Sequence, residues 1–277
     1  MTDPVPALPR YQAIRYVQPL REGGSLPAVV DTDDGLYVVK FRGAGQGAKA
    51  LVAELIVGML AGALELPVPD LALLEVPPPF GRSEPDPEIQ DVLRRSHGLN
   101  VGLRYLDGAF NFDGRAAGEF ISPEVAAGIV WLDGFTTNPD RTHRNPNLLI
   151  WRRRPWLIDH GAALYAHHDW ASVDAARTAT PFPLIRDHVL LLEADRVSDF
   201  DRRAAAHLTE GLLRRVLDAV PDELLAGDEF PDAIAARTRY VTYLVDRLRD
   251  PRPFVAEARA AREHRLTSPR RALEARR

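Results

Sequence analysis

Three oxygen-bearing side chains are spaced as if to hold a metal ion beside a phosphate. Asp140 and Asn145 are separated by four residues. Asp159 comes after two apolar runs, Leu148–Trp151 and Trp156–Ile158, which predict a hairpin that returns it to Asn145. Mg²⁺ takes a few oxygen ligands from a protein and keeps its other positions for phosphate and water. The pattern therefore predicts phosphoryl-transfer chemistry.

A second interpretation of the same stretch needs no metal. Asp140 and Asn145 can simply cap turns, and Asp159 can belong to a turn that ends a strand. A cluster of histidines and an aspartate a little further on is a candidate transition-metal site, although neighbouring histidines on a regular element do not easily face one ion. Its members are His160, His167, His168 and Asp169.

One lysine is a candidate phosphate ligand. Among the 35 lysine and arginine residues, only Lys40 and Lys49 are lysines. Lys40 lies near the end of the apolar run Gly35–Phe41, which predicts a strand. A compact ammonium on such a strand can bind the α- and β-phosphates of a nucleotide, whereas the planar fork of arginine is a different ligand. The alternative is an ordinary lysine at the edge of a strand.

The elements around this lysine also suit a phosphate. Apolar residues recur at helical spacing from Ala48 to Leu64, and Glu54 lies among them, so we expect it to face inward and pair with Lys40. An ordinary surface glutamate is the alternative. The link Gly43–Gly47 could bind an anion at the start of the helix. The turn ahead of the lysine strand can approach phosphate through its backbone N–H groups; it is Gly23-Gly24-Ser25.

Composition limits the classes of protein. The chain has 277 residues, 45% hydrophobic and 27% charged, as in a soluble globular protein. A net charge of −4 gives no reason to expect nucleic-acid or membrane binding. The absence of a long apolar run and of a signal-peptide pattern predicts a cytoplasmic protein. With no cysteine, disulfides, zinc–thiolate sites and thiol catalysis are excluded.

The periodicity predicts strands in the first part of the chain and helices in the second. The predicted elements are strands within 11–41, a helix at 48–64, strands at 71–76 and 99–106, a short helix at 87–95, a helix at 124–136, and helices at 185–197, 201–219, 230–249 and 251–264. Ser122 followed by Pro123 marks the start of the helix that leads into Asp140.

Together these residues resemble the HipA-type bacterial kinases and their wider relatives, the phosphatidylinositol kinases. The resemblance rests on Asp140-Arg141-x-x-x-Asn145, Ile158-Asp159-x-Gly161, Lys40 on its strand and the Gly-Gly-Ser turn, and it covers about residues 15–260. It implies an α+β, two-lobed protein-kinase-like fold. Residues 1–107 would form a strand-rich N-lobe and residues 108–277 a helical C-lobe.

The resemblance also implies a role for each candidate residue. Asp140 would be the catalytic base, Asn145 and Asp159 the magnesium ligands, and Glu54 the partner of Lys40. The nucleotide would lie against the glycine turn, with adenine on the backbone of a hinge near Tyr105 and Leu106.

The expected function is an ATP- and magnesium-dependent transfer of the γ-phosphate to a hydroxyl, with serine or threonine of a protein as the expected acceptor. A small-molecule kinase with the same site, a nucleotide-binding pseudokinase and an enzyme that transfers AMP are the alternatives. The expected partners are ATP and an acceptor that the sequence does not identify.

Overall fold

The first part of the chain is rich in strands. The structure is a computed structural model that describes residues 7–20, 26–45, 47–78, 80–82, 84–114, 118–227 and 229–268. Its elements up to residue 104 are β1 Arg10–Pro19, β2 Ala28–Thr32, β3 Gly35–Lys40, α1 Gly47–Ala63, β4 Leu71–Val76, α2 Pro87–Arg94 and β5 Gly98–Arg104. The predicted strands and the two predicted helices of this part are therefore confirmed, with bounds that shift by one or two residues.

Strands β1 to β5 close into a barrel in the order β1-β2-β3-β5-β4. Closure depends on β1, which pairs antiparallel with β2 and parallel with β4, where Arg10–Gln12 lie opposite Leu73–Glu75. The β2–β3 turn needs the positive φ of Gly35, +106°, which a side chain would oppose. Apolar side chains fill the barrel, and β3 runs to Lys40, which lies opposite Val101 of β5.

Helix α1 lies between the barrel and the helices of the second part. Its residues from Leu51 to Ala61 are all buried, because the helix is apolar on every face. Gly58 allows α1 to approach β4, since a Cβ at that position would lie 2.7 Å from a methyl group of Leu71. The helix shares one apolar cluster with the C-terminal helices rather than with the barrel interior. Glu54 is therefore held in the middle of the molecule.

The second part begins with a small sheet and continues as helices. Its strands are β6 Phe110–Asn111, β7 Leu148–Trp151 and β8 Arg154–Leu157, in the order β6-β7-β8. Its helices are α3 Pro123–Thr136, α4 Ala175–Thr178, α5 Val197–His207, α6 Glu210–Asp218, α7 Asp222–Leu225, α8 Ala233–Leu248 and α9 Pro253–Thr267. The predicted hairpin is confirmed, with its second strand beginning at Arg154 instead of Trp156.

Helix α3 positions the loop that carries Asp140. Ser122 caps its first turn by accepting a hydrogen bond from Val125 N at 3.2 Å. The helix is apolar and buried, and Trp131 stacks on Phe135 within it. It ends at Thr136, and the left-handed conformation of the next residue, Thr137 (φ 53°), turns the chain directly into the loop.

Two predicted helices are wrong. Residues 185–197 form a short 3-10 helix, Pro183–Asp187, followed by turns, and not one α-helix. The helix predicted at 201–219 is two helices, α5 and α6. The chain breaks there because Thr209 accepts a hydrogen bond from Leu212 N and so caps a new helix.

The chain passes from the barrel to the small sheet between Arg104 and Phe110. The domain boundary at residue 107 remains a prediction. Helix α1 precedes that boundary but packs in the apolar cluster of the second part. None of the helices in the described part of the chain is long and apolar enough to cross a membrane.

Candidate active site

Three of the predicted site residues, Lys40, Glu54 and Asp159, are in contact. Its side chain is buried at the end of β3. The ammonium donates one hydrogen bond to Glu54 Oε2 at 2.7 Å and another to Asp159 Oδ1 at 2.5 Å. The structure therefore brings together residues from the barrel, α1 and the turn after β8.

Glu54 joins the lysine to that turn. Its side chain is completely buried, and Oε2 accepts a second hydrogen bond from His160 N at 2.7 Å. Its other oxygen, Oε1, has no hydrogen-bond partner among the described residues. A buried carboxylate needs a cation or N–H donors, and Glu54 has both. The inward-facing glutamate that the sequence predicted is what the structure contains.

The charges of this group depend on one another. Burial works against the charged form of Lys40, but the carboxylates of Glu54 and Asp159 outweigh it and raise the pKa of Lys40 above its ordinary value. Burial likewise works against the charged form of Asp159, but the adjacent ammonium lowers the pKa of that carboxyl below its ordinary value. Lys40 is therefore an ammonium and Asp159 a carboxylate at neutral pH.

Asp159 is the member of the group that faces outward. It follows β8 in the left-handed conformation, with φ 56°, which is uncommon for a residue with a side chain. Its side chain is 37% exposed, against 0% for Glu54. The strained turn thus presents a carboxylate, already beside Lys40, to whatever binds there.

Asp140 lies in the loop between α3 and β7. Its own N–H donates to Asn138 Oδ1 at 3.1 Å. One carboxylate oxygen, Oδ2, accepts hydrogen bonds from the side-chain amides of Asn145 at 2.8 Å and Asn147 at 3.1 Å. Asn145 therefore contacts Asp140, and Asn147 is a second neighbour of Asp140 that the sequence analysis did not predict.

Arg141 connects the Asp140 loop to the strand that precedes Asp159. Its guanidinium donates to the backbone carbonyl of Asn147 and, at 3.3 Å, to that of Ile158. Asn147 precedes β7, and Ile158 precedes Asp159. One buried side chain thus holds both halves of the hairpin against the loop.

A buried carboxylate on α3 holds Arg141 in turn. Asp133 accepts hydrogen bonds from Arg141 Nε at 2.6 Å, Asn138 Nδ2 at 3.0 Å and His188 Nε2 at 3.0 Å. Burial opposes the charge on Asp133, but Arg141 and His188 outweigh it and lower the pKa of this carboxyl far below its usual range. The sequence held a signal that was missed: a charged residue inside an apolar helix requires a partner.

His160 is buried against this network. Its Nδ1 lies 3.3 Å from Arg141 Nη2 and must accept, because a guanidinium only donates. Burial lowers the pKa of His160 to about 4. The nearby Arg141 and Lys40 cations also lower it, whereas the carboxylates of Glu54 and Asp133 act in the opposite direction. His160 is therefore a neutral packing residue at physiological pH.

Only part of the histidine cluster considered above is assembled. His167 is buried with Nδ1 3.0 Å from the hydroxyl of Tyr240, and its ring lies edge-on to that of His168, with ring centroids 4.5 Å apart. Within the described residues, no group of three or more histidine, aspartate or glutamate side chains could hold a metal ion. His143 contacts Arg265, with its Nε2 3.0 Å from the guanidinium.

The predicted nucleotide-binding residues have different outcomes. The N–H of Tyr105 donates to the carbonyl of Leu36 at 2.9 Å, so it is committed to the barrel. The carbonyl of Leu106 accepts from Ala109 N at 3.1 Å. The role of this segment in holding adenine remains a prediction. The glycine turn, Gly23, Gly24 and Ser25, lies outside the described residues.

The sequence matches the family model described as HipA-like kinase over residues 14–225. The chain belongs to the HipA-like kinase family. It is therefore a phosphotransferase, as the resemblance predicted. The residues gathered around Lys40 and Asp140 all lie inside the matched part of this HipA-like kinase.

The fold agrees with that assignment. The structure is similar to the crystal structure of a Helicobacter pylori proinflammatory kinase, CtkA, with a TM-score of 0.54 and 12% sequence identity. The similarity covers 94% of this chain and 100% of the CtkA chain. At that identity it shows a kinase-like fold and nothing of the acceptor. Comparison with curated proteins found no match.

Proposed function

We propose that this HipA-like kinase uses ATP and magnesium to transfer the γ-phosphate to a hydroxyl group. The observation that carries the proposal is the contact of Lys40 with both Glu54 and Asp159. A buried ammonium beside an outward-facing carboxylate suits a metal-bound polyphosphate, because the ammonium attracts phosphate oxygens while the carboxylate attracts the cation. Asp140, on the loop tied to the same hairpin, supplies the proposed base.

The donor set fits magnesium. Asp159 offers a carboxylate and the Asp140 loop offers asparagine amides, of which the sequence singled out Asn145. These are the hard oxygen ligands that Mg²⁺ prefers, and a site with few protein ligands leaves room for phosphate and water. When bound, the metal would neutralise charge on the phosphate oxygens.

Each protein group has a separate task in the proposed reaction. Lys40 binds the α- and β-phosphates and Glu54 keeps its ammonium in the cleft. Asp140 accepts the proton of the acceptor hydroxyl as the new O–P bond forms and the bond to the ADP oxygen breaks. Most of the rate enhancement then comes from positioning and charge, which a rigid hydrogen-bonded site supplies.

Serine or threonine of a protein is the acceptor that we propose first, from the resemblance to HipA-type kinases. A small-molecule hydroxyl is the second candidate, because the same proposed phosphate, metal and base side chains would serve that acceptor. A pseudokinase is disfavoured, since Lys40, Asp140, Asn145 and Asp159 are all retained. Transfer of AMP would require the opposite nucleotide orientation, and the added mass on the product distinguishes it.

The test is magnesium-dependent ADP formation with candidate acceptors, using wild type, Asp140→Asn and Asp159→Ala. We expect both substitutions to lower turnover at least about a hundredfold, because loss of a positioned base or of a charge-stabilising group typically costs that much. A matched control is Asp169→Ala, an exposed aspartate of the same segment, which should keep wild-type turnover. Full turnover by purified Asp159→Ala would remove the assignment.

A further inference from the structure

Two asparagines, not one, donate to the carboxylate of the proposed base. The side-chain amides of Asn145 and Asn147 both donate to Oδ2 of Asp140, at 2.8 and 3.1 Å. A carboxylate only accepts, so each amide turns its NH₂ toward Asp140 and its oxygen away. Either oxygen is chemically able to bind magnesium. Position in the fold separates them.

Asn147 continues the hairpin that ends at Asp159. Leu148 of β7 lies opposite Leu157 of β8, and the ladder extends one step further because Ile158 N donates to Asn147 O at 3.1 Å. The register therefore places Asn147 opposite Ile158, whose next residue is Asp159. Asn147 immediately precedes β7, and Asp159 is the second residue after β8, so both lie at the same end of the hairpin.

The conformation of Asn147 is also fixed. Its φ is +48°, a left-handed conformation that asparagine tolerates better than most residues with a side chain. Its carbonyl accepts from Ile158 and from the buried guanidinium of Arg141. The residue is 8% exposed. A ligand built this way loses little freedom when it binds a cation.

Asn145 lies in a different setting. It is exposed and precedes Pro146, outside the strand ladder. Its backbone closes a local turn with Thr142, whose N–H donates to Asn145 O at 2.9 Å and whose hydroxyl accepts from Asn145 N at 3.3 Å. The side chain thus reaches Asp140 from a turn that lies outside the β7–β8 ladder.

We propose that Asn147, together with Asp159, supplies the protein ligands of the magnesium ion, and that Asn145 orients the base Asp140. The assignment rests on the proposed function, since it places the metal of that same reaction. It replaces the loop asparagine that the sequence spacing favours with the one that the hairpin register places beside Asp159.

The experiment measures binding of Mn²⁺, as a spectroscopic stand-in for Mg²⁺, by the loss of its free EPR signal with a non-hydrolysable ATP analogue present. Asn147→Gly removes the side chain yet tolerates the positive φ, and Asn145→Gly is the matched control. We expect Asn147→Gly to weaken Mn²⁺ binding at least about tenfold, since even groups that only support a metal ligand typically cost that much. Asn145→Gly should stay within about twofold of wild type.

A second variant separates ligation from hydrogen bonding. Asn147→Asp keeps an oxygen at the position but loses the donor to Asp140. A metal ligand at this position predicts that Asn147→Asp binds Mn²⁺ within a few-fold of wild type. A residue that acts only by donating to Asp140 predicts that Asn147→Asp fails as Asn147→Gly does. Mn²⁺ binding by Asn147→Asp also tests the assignment if Asn147→Gly does not fold.

Weaker Mn²⁺ binding by Asn145→Gly with normal binding by Asn147→Gly would overturn the assignment, and so would equal losses in both. Failure of the proposed function gives a different result. A protein that holds Mn²⁺ and nucleotide through Asn147 but transfers no phosphate would remove the kinase reaction and leave the ligand assignment in place.

Discussion

At the scale of single residues, the account depends on a buried ion pair whose cation is shared. Lys40 contacts Glu54 inside the protein and Asp159 at its surface. A buried pair adds little net stability compared with apolar residues, but removal of one partner leaves an uncompensated charge. The pair is thus better explained by its proposed use, which is to hold an ammonium where phosphate can reach it.

That interpretation predicts coupled effects on stability and activity. Lys40→Met should lower the free energy of unfolding by about 3–5 kcal/mol, because it leaves Glu54 buried without its cation. The double variant Lys40→Met/Glu54→Gln should recover most of that loss, since glutamine is neutral and can still accept from His160 N. Urea denaturation of both single variants and the double variant measures the coupling. Strictly additive changes would contradict it.

The single-residue features were predictable to different degrees. Lys40 is distinctive because lysine is rare in this chain, and Glu54 because it lies in an apolar helix. Arg141 and Asn147 were missed. Their roles depend on the backbone carbonyls of Asn147 and Ile158. These two residues lie opposite each other only once the hairpin has formed. Local spacing could identify Asn145 but could not choose between two asparagines.

At the scale of elements, α1 holds the buried carboxylate of the site in place. It is buried on all sides, and Lys49 near its start donates to Glu229 at 2.8 Å and to the carbonyl of His167. The helix is therefore attached to the second part of the chain at one end and packed through its middle. Packing along α1 therefore holds Glu54 beside Lys40.

Two glycines of α1 give a matched test of this packing. Gly62→Ala should raise the free energy of unfolding by about 0.5–1 kcal/mol, because alanine favours the helix and no atom lies within 4 Å of the added Cβ. Gly58→Ala gains the same propensity but places its Cβ 2.7 Å from Leu71, so it should gain less or destabilise. Thermal or urea unfolding compares the two. A larger gain at Gly58 would contradict the packing described.

Element prediction succeeded where the pattern is local. The strand Leu71–Val76 follows from a short apolar run, and the helix after Ser122 follows from its cap. Barrel closure did not follow, because the parallel pairing of β1 with β4 joins residues far apart in the sequence. The helix predicted across residues 201–219 failed because periodicity continues across the cap at Thr209.

At the scale of the whole molecule, buried neutral histidines make stability depend on pH. Burial lowers the pKa of His160 to about 4 and that of His167 to about 3, whereas each is near 6.5 in the unfolded chain. The unfolded chain therefore binds more protons below about pH 6.5. Stability from these residues is complete above that pH and is lost as the pH falls toward the folded values.

Substitution of one histidine tests this dependence. Between pH 7 and 4.5 a single histidine of this kind should contribute about 2 kcal/mol of lost stability. His167→Gln should therefore reduce the pH dependence of the free energy of unfolding by about that amount. The exposed His207→Gln is the control and should behave as wild type. Equal pH dependence in all three proteins would contradict the assignment of His167.

The most direct test of the account is covalent labelling with an acyl-phosphate derivative of ATP, which acylates an amine beside the bound phosphates. This chain suits the method, because Lys40 and Lys49 are its only lysines. We expect mass spectrometry to find label on Lys40, and excess ATP with magnesium to prevent it while leaving any label on Lys49 unchanged. A folded protein in which Lys40 is unlabelled, or is labelled equally with and without competing ATP, would contradict a nucleotide site at Lys40.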